Sequence, residues 1–150
     1  MQQKMNISHI RSAAKFRQTA LLIDDQLTVL DIHAAILKSL KMNLKIVTMT
    51  NPVEALEWMQ NKQVDLIITD FRMPQMDGMQ FMQAANNVNV DMPKLIVVVT
   101  VLKDKKLHQN LIDAGASACL TKPVNAEELA TIAKHLLEQS QQFYSHSLVA

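Results

Sequence analysis

The chain has 150 residues, of which 49% are hydrophobic and 19% charged, with a single cysteine. This composition is that of one globular domain and excludes a disordered or fibrous chain. One cysteine also excludes an internal disulfide and a zinc site built on several thiolates, and it favours a reducing compartment. The longest wholly apolar run, 95–99, is too short to span a bilayer, and no signal peptide is evident. We therefore expect a cytoplasmic protein without a membrane partner.

The net charge of +1 is unevenly distributed along the chain. Lys4, Arg11, Lys15 and Arg17 fall within the first 19 residues, which contain no acid. Without these four, 11 of the 15 bases remain against 14 acids, so the rest of the chain is at −3. A negative body disfavours nucleic acid as the direct partner of the folded part. We assign residues 1–18 to a basic N-terminal extension.

Apolar runs of strand length alternate with segments of helical period in the remaining sequence. The first helical segment, 28–40, has Val29, Ile32, Ile36 and Leu40 at helical spacing, which predicts that these four share its buried face. Capping signals at Asn51 and Asn125 and a glycine stop at Gly115 delimit further helices. The predicted strands are 20–23, 44–49, 64–69, 94–100 and 118–121, and the other helices are 52 onwards, 79–87, 103–114 and 126–142.

Five strands that are almost continuously apolar and are separated by helices predict a parallel sheet covered on both faces. The fold class is therefore α/β, a doubly wound five-stranded parallel sheet with helices on both sides. We assign 19–139 to this domain and 140–150 to a C-terminal tail. The sequence shows no internal repeat and no interdomain linker.

Polar residues stand where the predicted strands end. Asp24 and Asp25 follow the first strand, Asp70 the third, Thr100 ends the fourth, and Lys122 follows the fifth. In open parallel sheets, ligands bind outside the carboxyl ends of the strands, so we expect these side chains to converge. Three crowded carboxylates repel one another unless a cation compensates.

All-oxygen ligation by a few carboxylates suits Mg²⁺, which commonly bridges to a phosphoryl group. Lys122 and Thr100 are then placed to hold phosphoryl oxygens, and Asp70 to act as a carboxylate nucleophile. Phosphoryl transfer needs mainly positioning and charge neutralisation, which such a set of residues supplies. The strand ends therefore predict an aspartate that accepts a phosphoryl group.

The same residues belong to a pattern that resembles the receiver domain of two-component response regulators. The matching segments are "LLIDD", "DLIITDFRMPQMDG", "VVVT" and "GASACLTKP", and the resemblance covers roughly 19–139. It implies the flavodoxin-like receiver fold, Asp70 as the phosphorylated residue, and Mg²⁺ held by Asp24, Asp25, Asp70 and the backbone carbonyl of Arg72. It implies a switch role for Thr100 and phosphate binding by Lys122.

The resemblance also implies partners for the domain. A sensor histidine kinase or a histidine phosphotransfer protein would donate the phosphoryl group, docking around Gln26, Leu27 and Val29. A downstream protein would contact the fourth helix and the fifth strand, and a homodimer is an open alternative. The resemblance implies no enzyme activity beyond the domain's own phosphorylation and dephosphorylation.

Two positions depart from the family pattern. Cys119 stands where many receivers have a tyrosine or phenylalanine, and we expect it to be a small buried residue that transmits little movement. Val101 stands where a small residue is common, and its branched side chain is expected to affect the rates at the phosphoacceptor.

Three alternatives stay open at this point. The chain could be the N-terminal receiver of a longer regulator whose output domain is an enzyme or binds DNA. A phosphohydrolase with an aspartate nucleophile would need an acid/base aspartate two residues after Asp70, where Arg72 stands. A receiver used only as a scaffold would not need the acid pair.

The five histidines suggest no rival chemistry. Their spacing fits no metal site and no nucleophile stands beside them, so we predict that they lie on the surface. They are His9, His33, His108, His135 and His146.

Overall fold

The computed structural model describes residues 17–89 and 94–149, with side chains as far as 143. Most of the predicted basic extension, 1–16, lies outside the described residues. Its last residue, Gln18, is already the first residue of a strand and is buried.

The domain is built on one sheet of five parallel strands in the order β2-β1-β3-β4-β5. This arrangement confirms the predicted doubly wound α/β fold. The strands differ from the predicted runs by at most two residues at either end. They are β1 Gln18–Ile23, β2 Leu44–Met49, β3 Leu66–Asp70, β4 Leu95–Thr100 and β5 Ala118–Thr121.

One helix follows each strand. The helices are α1 Leu27–Lys38, α2 Pro52–Met59, α3 Gly78–Asn86, α4 Lys105–Asp113 and α5 Ala126–Val149. α1 and α5 cover one face of the sheet, while α2, α3 and α4 cover the other. Successive side chains of a strand point to opposite faces. In β1, accordingly, Leu22 joins the first core and Leu21 the second.

The helix ends follow the predicted chemistry. The side chain of Asn51 accepts the N–H of Val53 in front of α2, and Asn125 accepts the N–H of Glu128 at the start of α5. Asp77, predicted to belong to a turn, caps α3 through a reciprocal pair of bonds with Gln80. A side-chain acceptor at this position satisfies a backbone donor that the helix leaves without a partner.

The buried face of α1 differs from the predicted one. Leu30, Ala34 and Leu37 enter the core, whereas Ile32 is 53% exposed. The prediction that Val29, Ile32, Ile36 and Leu40 share the buried face is therefore wrong for Ile32. Both sets of residues have helical spacing, and the packing of α5 against α1 decides which stripe is covered.

α5 extends beyond the boundary expected at 139. Ser140 is buried, and its hydroxyl donates to Asp65 Oδ1 at 2.9 Å, which ties this part of the helix to the start of β3. The segment assigned to a C-terminal tail, 140–150, is thus helical as far as Val149. The division into a domain ending at 139 and a tail stays a prediction, although the contact with Asp65 ties Ser140 to the sheet.

Candidate functional site

The acid pair after β1 divides into a buried and an exposed member. Asp24 is 2% exposed, and its Oδ1 accepts the N–H of Gln26 at 2.9 Å as the chain turns into α1. Asp25 is exposed. The strand therefore runs into two aspartates of which one is fixed by the backbone and the other faces solvent.

Asp70, the last residue of β3, is held by its immediate neighbours. Its Oδ1 accepts the N–H of Phe71 at 2.9 Å, and its backbone carbonyl accepts the hydroxyl of Thr69 at 2.9 Å. The loop after Phe71 folds back closely, since the N–H of Gly78 donates to the Phe71 carbonyl at 2.6 Å. A Cβ atom at Gly78 would lie 3.0 Å from Phe71 Cα and 3.1 Å from the Asp70 carbonyl oxygen. Glycine at this position therefore lets the loop pack against the Asp70 backbone.

Lys122 lies between two of the carboxylates. Its Nζ is 2.7 Å from Asp24 Oδ2 and 3.1 Å from Asp70 Oδ1. The backbone N–H of Lys122 also donates to the Thr100 carbonyl at 2.7 Å, which fixes the backbone at the end of β5. The ammonium therefore links the ends of β1 and β3 from the other side of β4.

The carboxylates of Asp24, Asp25 and Asp70 each offer an oxygen within 4.8 Å of the others. Burial raises the pKa of Asp70, and the charge of Asp24 raises it further, although Lys122 and the Phe71 N–H oppose both effects. Burial alone would lower the pKa of Lys122, but its bond to Asp24 and the charge of Asp70 outweigh this, and the pKa is raised. Three carboxylates beside one ammonium leave an excess of negative charge, and this cluster could bind a metal ion.

Thr100 is 1% exposed at the end of β4, and its Oγ1 accepts the N–H of Leu102 at 3.1 Å. Val101 is 61% exposed beside it. Arg72, two residues after Asp70, is also exposed. The structure thus brings Asp24, Asp25, Asp70 and Lys122 together, while the roles predicted for Thr100, Val101 and the Arg72 carbonyl stay predictions.

His33 is the residue of this region that the sequence reasoning missed. It is 6% exposed on α1, so the prediction of a surface position is wrong for this histidine. Burial lowers its pKa and Lys122 lowers it further, while Asp24 opposes the change. Position 33 shares the stripe of Leu30 and Leu37, three and four residues away, and this spacing was the signal.

Cys119 also differs from the expectation of a buried residue. It is half-buried and packs at the edge of the core beneath α2, α3 and α4. Partial burial raises the pKa of its thiol. A neutral thiol fits its place as a small apolar residue.

A groove with a volume of about 340 Å³ runs beside Lys122. Its walls are mainly apolar and include Val29, Ile32, Val101 and Val124, and His33 lines it as well. Leu27, at the start of α1, is 68% exposed. Apolar surface is thus exposed directly next to the carboxylate cluster.

A five-stranded doubly wound sheet with an acid pair, an aspartate and a lysine at its carboxyl edge defines a class of signalling domain. The family described as response regulator receiver domain matches residues 20–134. The chain belongs to this family.

Curated relatives are similar over most of this chain. It is 29% identical over 122 residues to the cyclic di-GMP phosphodiesterase response regulator RpfG of Xanthomonas campestris pv. campestris (strain 8004), covering 81% of this chain and 32% of the relative. It is 32% identical over 126 residues to the transcriptional regulatory protein GlrR of Escherichia coli (strain K12), covering 80% of this chain and 26% of that relative. The chain thus spans about a third and a quarter of the length of these relatives.

Among solved structures, the chain resembles the signal receiver domain of a Vibrio parahaemolyticus protein described as a LuxO repressor. The TM-score is 0.78 at 25% identity, with 89% of this chain and 98% of the other covered. In the ranges 17–89 and 94–149, no helix has the length and apolar character needed to cross a membrane.

Proposed function

We propose that this receiver domain accepts a phosphoryl group on Asp70 from a phosphohistidine of a sensor histidine kinase or a histidine phosphotransfer protein. The observation that carries the proposal is the position of Asp70 at the end of β3, 3.1 Å from the Lys122 ammonium and beside the acid pair. The domain then signals by a change in its surface. It modifies only itself and turns over no metabolite.

In the proposed transfer, an Asp70 carboxylate oxygen attacks the phosphorus and forms the new P–O bond. The P–N bond to the donor imidazole breaks, and its electron pair stays on the imidazole nitrogen. Lys122 binds a phosphoryl oxygen by charge, and the Thr100 hydroxyl donates to another. Burial of Asp24 and Thr100 fixes these groups before the donor arrives, which lowers the cost of positioning.

The acidic cluster fits a divalent cation because three carboxylate oxygens lie within 4.8 Å of one another next to a single ammonium. We assign Mg²⁺ to Asp24, Asp25 and Asp70, with the Arg72 backbone carbonyl as a further ligand that the family resemblance implies. Bound there, Mg²⁺ would neutralise charge on the phosphoryl oxygens.

Incubation with acetyl phosphate and Mg²⁺, followed by intact mass measurement, tests the phosphoacceptor. We expect a gain of one phosphoryl group, which is lost when Mg²⁺ is chelated before the reaction. A protein whose mass stays unchanged under conditions that label an established receiver would contradict the proposal.

The donor must approach Asp70 from solvent, and we propose that it docks on the groove beside Lys122 and on Leu27. Leu27→Glu should slow transfer from the cognate phosphohistidine donor by about tenfold or more, because a charge would enter an apolar contact. Labelling by acetyl phosphate needs no docking and should be unchanged.

The matched control is Val53→Glu, since Val53 is a 40% exposed residue on α2, away from the groove. This variant should accept phosphoryl groups from the donor at the wild-type rate. Equal slowing of Leu27→Glu with both phosphoryl sources would mean that the site itself is damaged and would contradict the docking proposal.

The lengths of the relatives favour a second candidate, in which the receiver is one domain of a longer regulator. RpfG is described as a phosphodiesterase and GlrR as a transcriptional regulator, and each matches this chain over only part of its length. In either case we propose that the output surface is α4 and β5, that the receiver contacts no nucleic acid itself, and that it works in the cytoplasm.

A phosphohydrolase is the less favoured activity. The position two residues after Asp70 is the exposed Arg72, which cannot serve as an acid/base carboxylate. Release of phosphate over many turnovers, rather than a single labelling event, would support the hydrolase instead.

A further inference from the structure

The loop between β4 and α4 is tied to both of its neighbours through one residue. The N–H of Leu102 donates to Thr100 Oγ1 at 3.1 Å, and His108 Nε2 bonds the Leu102 carbonyl at 2.7 Å. A carbonyl oxygen can only accept, so Nε2 carries the proton in this contact. A continuous path of hydrogen bonds therefore joins the buried Thr100 hydroxyl to α4.

Besides the bond from His108 to Leu102, the first turn of α4 is held by its N-cap and by Leu107, which packs against the core. Asp104 caps it by accepting the N–H of Lys106 at 2.9 Å. Lys103, Lys105 and Lys106 are exposed there, and the turn contains no acid. Positive charges at the amino end of a helix oppose its dipole, so these lysines weaken the turn. The bond from His108 to Leu102 keeps the loop against it.

We propose that His108 is a positioning residue that couples the Thr100 hydroxyl to α4 through Leu102. The inference rests on the proposed function, in which Thr100 donates to a phosphoryl oxygen on Asp70. When the hydroxyl is drawn towards Asp70, the Leu102 N–H loses its acceptor and the loop moves. The Leu102 carbonyl then leaves His108, and the first turn of α4 is released.

This path needs no aromatic ring at position 119. Cys119 is half-buried beside the core and carries a short side chain that cannot follow the hydroxyl over a large distance. His108, by contrast, is bonded to the residue that holds Thr100 in the unphosphorylated protein. The coupling would therefore reach the proposed output surface through α4.

Three substitutions separate this role from a general effect on the helix. His108→Gln keeps an amide donor near the place of Nε2, His108→Asn has its amide too close to the backbone to reach Leu102, and His108→Ala has no donor. Asn110→Ala, at an exposed position of α4, controls for altered helix stability. Hydrogen exchange of the peptide spanning 101–106 is measured by mass spectrometry, with and without Mg²⁺ and beryllofluoride, which mimics the phosphoryl group on Asp70.

In the wild type, His108→Gln and Asn110→Ala, we expect slow exchange in the free protein and exchange about two- to tenfold faster in the beryllofluoride complex. One lost hydrogen bond gives a change of this size. In His108→Ala and His108→Asn, exchange should already be fast in the free protein and should change little when Mg²⁺ and beryllofluoride are added. The beryllofluoride concentration for half-saturation should fall by a similar factor, because no contact then resists activation.

Wild-type exchange in His108→Ala and His108→Asn would overturn the inference, as would a His108→Gln variant that behaves like His108→Ala. An equal effect of Asn110→Ala would also overturn it, because helix stability would then explain the result. If acetyl phosphate labels the wild type but the variants do not differ, this inference alone fails. If acetyl phosphate does not label the wild type, the proposed function fails and the inference fails with it.

Discussion

One aspartate precedes β3 and another ends it, and the two carboxylates have different surroundings. Asp65, just before the strand, is 1% exposed and accepts the Thr19 N–H at 2.8 Å, the Ser140 hydroxyl at 2.9 Å and the Gln63 amide at 3.5 Å. Asp70, the last residue of the strand, shares one ammonium with Asp24 and accepts one N–H. Neutral donors surround the first carboxylate, and like charges crowd the second.

The comparison shows that burial alone does not identify a functional carboxylate. Both residues are buried, but Asp65 uses its oxygens to join three segments of the chain, which is a structural role. The pKa of Asp70 is raised by burial and by Asp24, so its charged form lacks full compensation. A cation or a phosphoryl group can relieve that deficit, and perturbed groups of this kind cluster at functional sites.

The largest effect should come from the carboxyl end of β3. Asp70→Asn should abolish labelling by acetyl phosphate, because the amide is nearly isosteric but is not a nucleophile. The circular dichroism spectrum should stay that of the wild type. Stoichiometric labelling of Asp70→Asn would refute the assignment of the phosphoacceptor.

At the other end of β3, we expect a substitution to lower stability and to leave phosphorylation intact. Asp65→Asn should lower the free energy of unfolding by about 1–3 kcal/mol, because an amide cannot accept from all three donors and leaves a buried one unsatisfied. Labelling by acetyl phosphate should continue at the wild-type rate. Urea unfolding provides the measurement, and Ser140→Ala, which removes one of the three donors, should show a smaller loss.

A smaller effect is expected when the charge at the carboxyl edge is reduced. Asp25→Ala should stabilise the metal-free protein slightly, because one of three mutually repelling carboxylates is gone. It should weaken Mg²⁺ binding on the order of tenfold, as changes around metal ligands commonly do. Thermal melts with and without Mg²⁺ test both effects. A metal-induced shift equal to that of the wild type would exclude Asp25 as a ligand.

The smallest effect concerns His33, which lines the groove beside Lys122 at the carboxyl edge of the sheet. Its folded-state pKa is lowered from the ordinary value of 6.5, mainly by burial, so between that lowered pKa and pH 6.5 the unfolded chain binds a proton that the folded protein does not. By linkage, the metal-free protein should lose stability as the pH falls from 6.5 through the lowered pKa. One proton contributes at most about 1.4 kcal/mol per pH unit.

The control for this pH effect is His33→Leu, which keeps an apolar side chain in the buried position. The difference in unfolding free energy between the two proteins should vary with pH between 7 and 5, as followed by urea unfolding. A constant difference over that range would mean that His33 does not contribute to the pH dependence.

Local pattern was sufficient for the sheet and for the composition of the site. Strand runs such as 44–49 and 118–121 agree with β2 and β5 residue for residue, since apolar segments bounded by turns and caps are a property of neighbouring residues. The carboxyl ends of parallel strands share one edge of the sheet, so the positions of Asp24, Asp70 and Lys122 at the ends of predicted strands already implied that they meet.

What the sequence by itself determined was therefore the alternation of elements, the fold class and the residues gathered at the strand ends. Only the tertiary structure decided which of the two helical stripes of α1 is covered, that Ser140 is buried against Asp65, and that His108 is bonded to Leu102. The physical reason is the separation along the chain between the residues that interact. Periodicity records which residues of one element share a face, whereas the partner that covers that face, and the donor that satisfies a given acceptor, come from elsewhere in the chain. Ser140, 75 residues from Asp65, has no local signal that marks it as that carboxylate's partner.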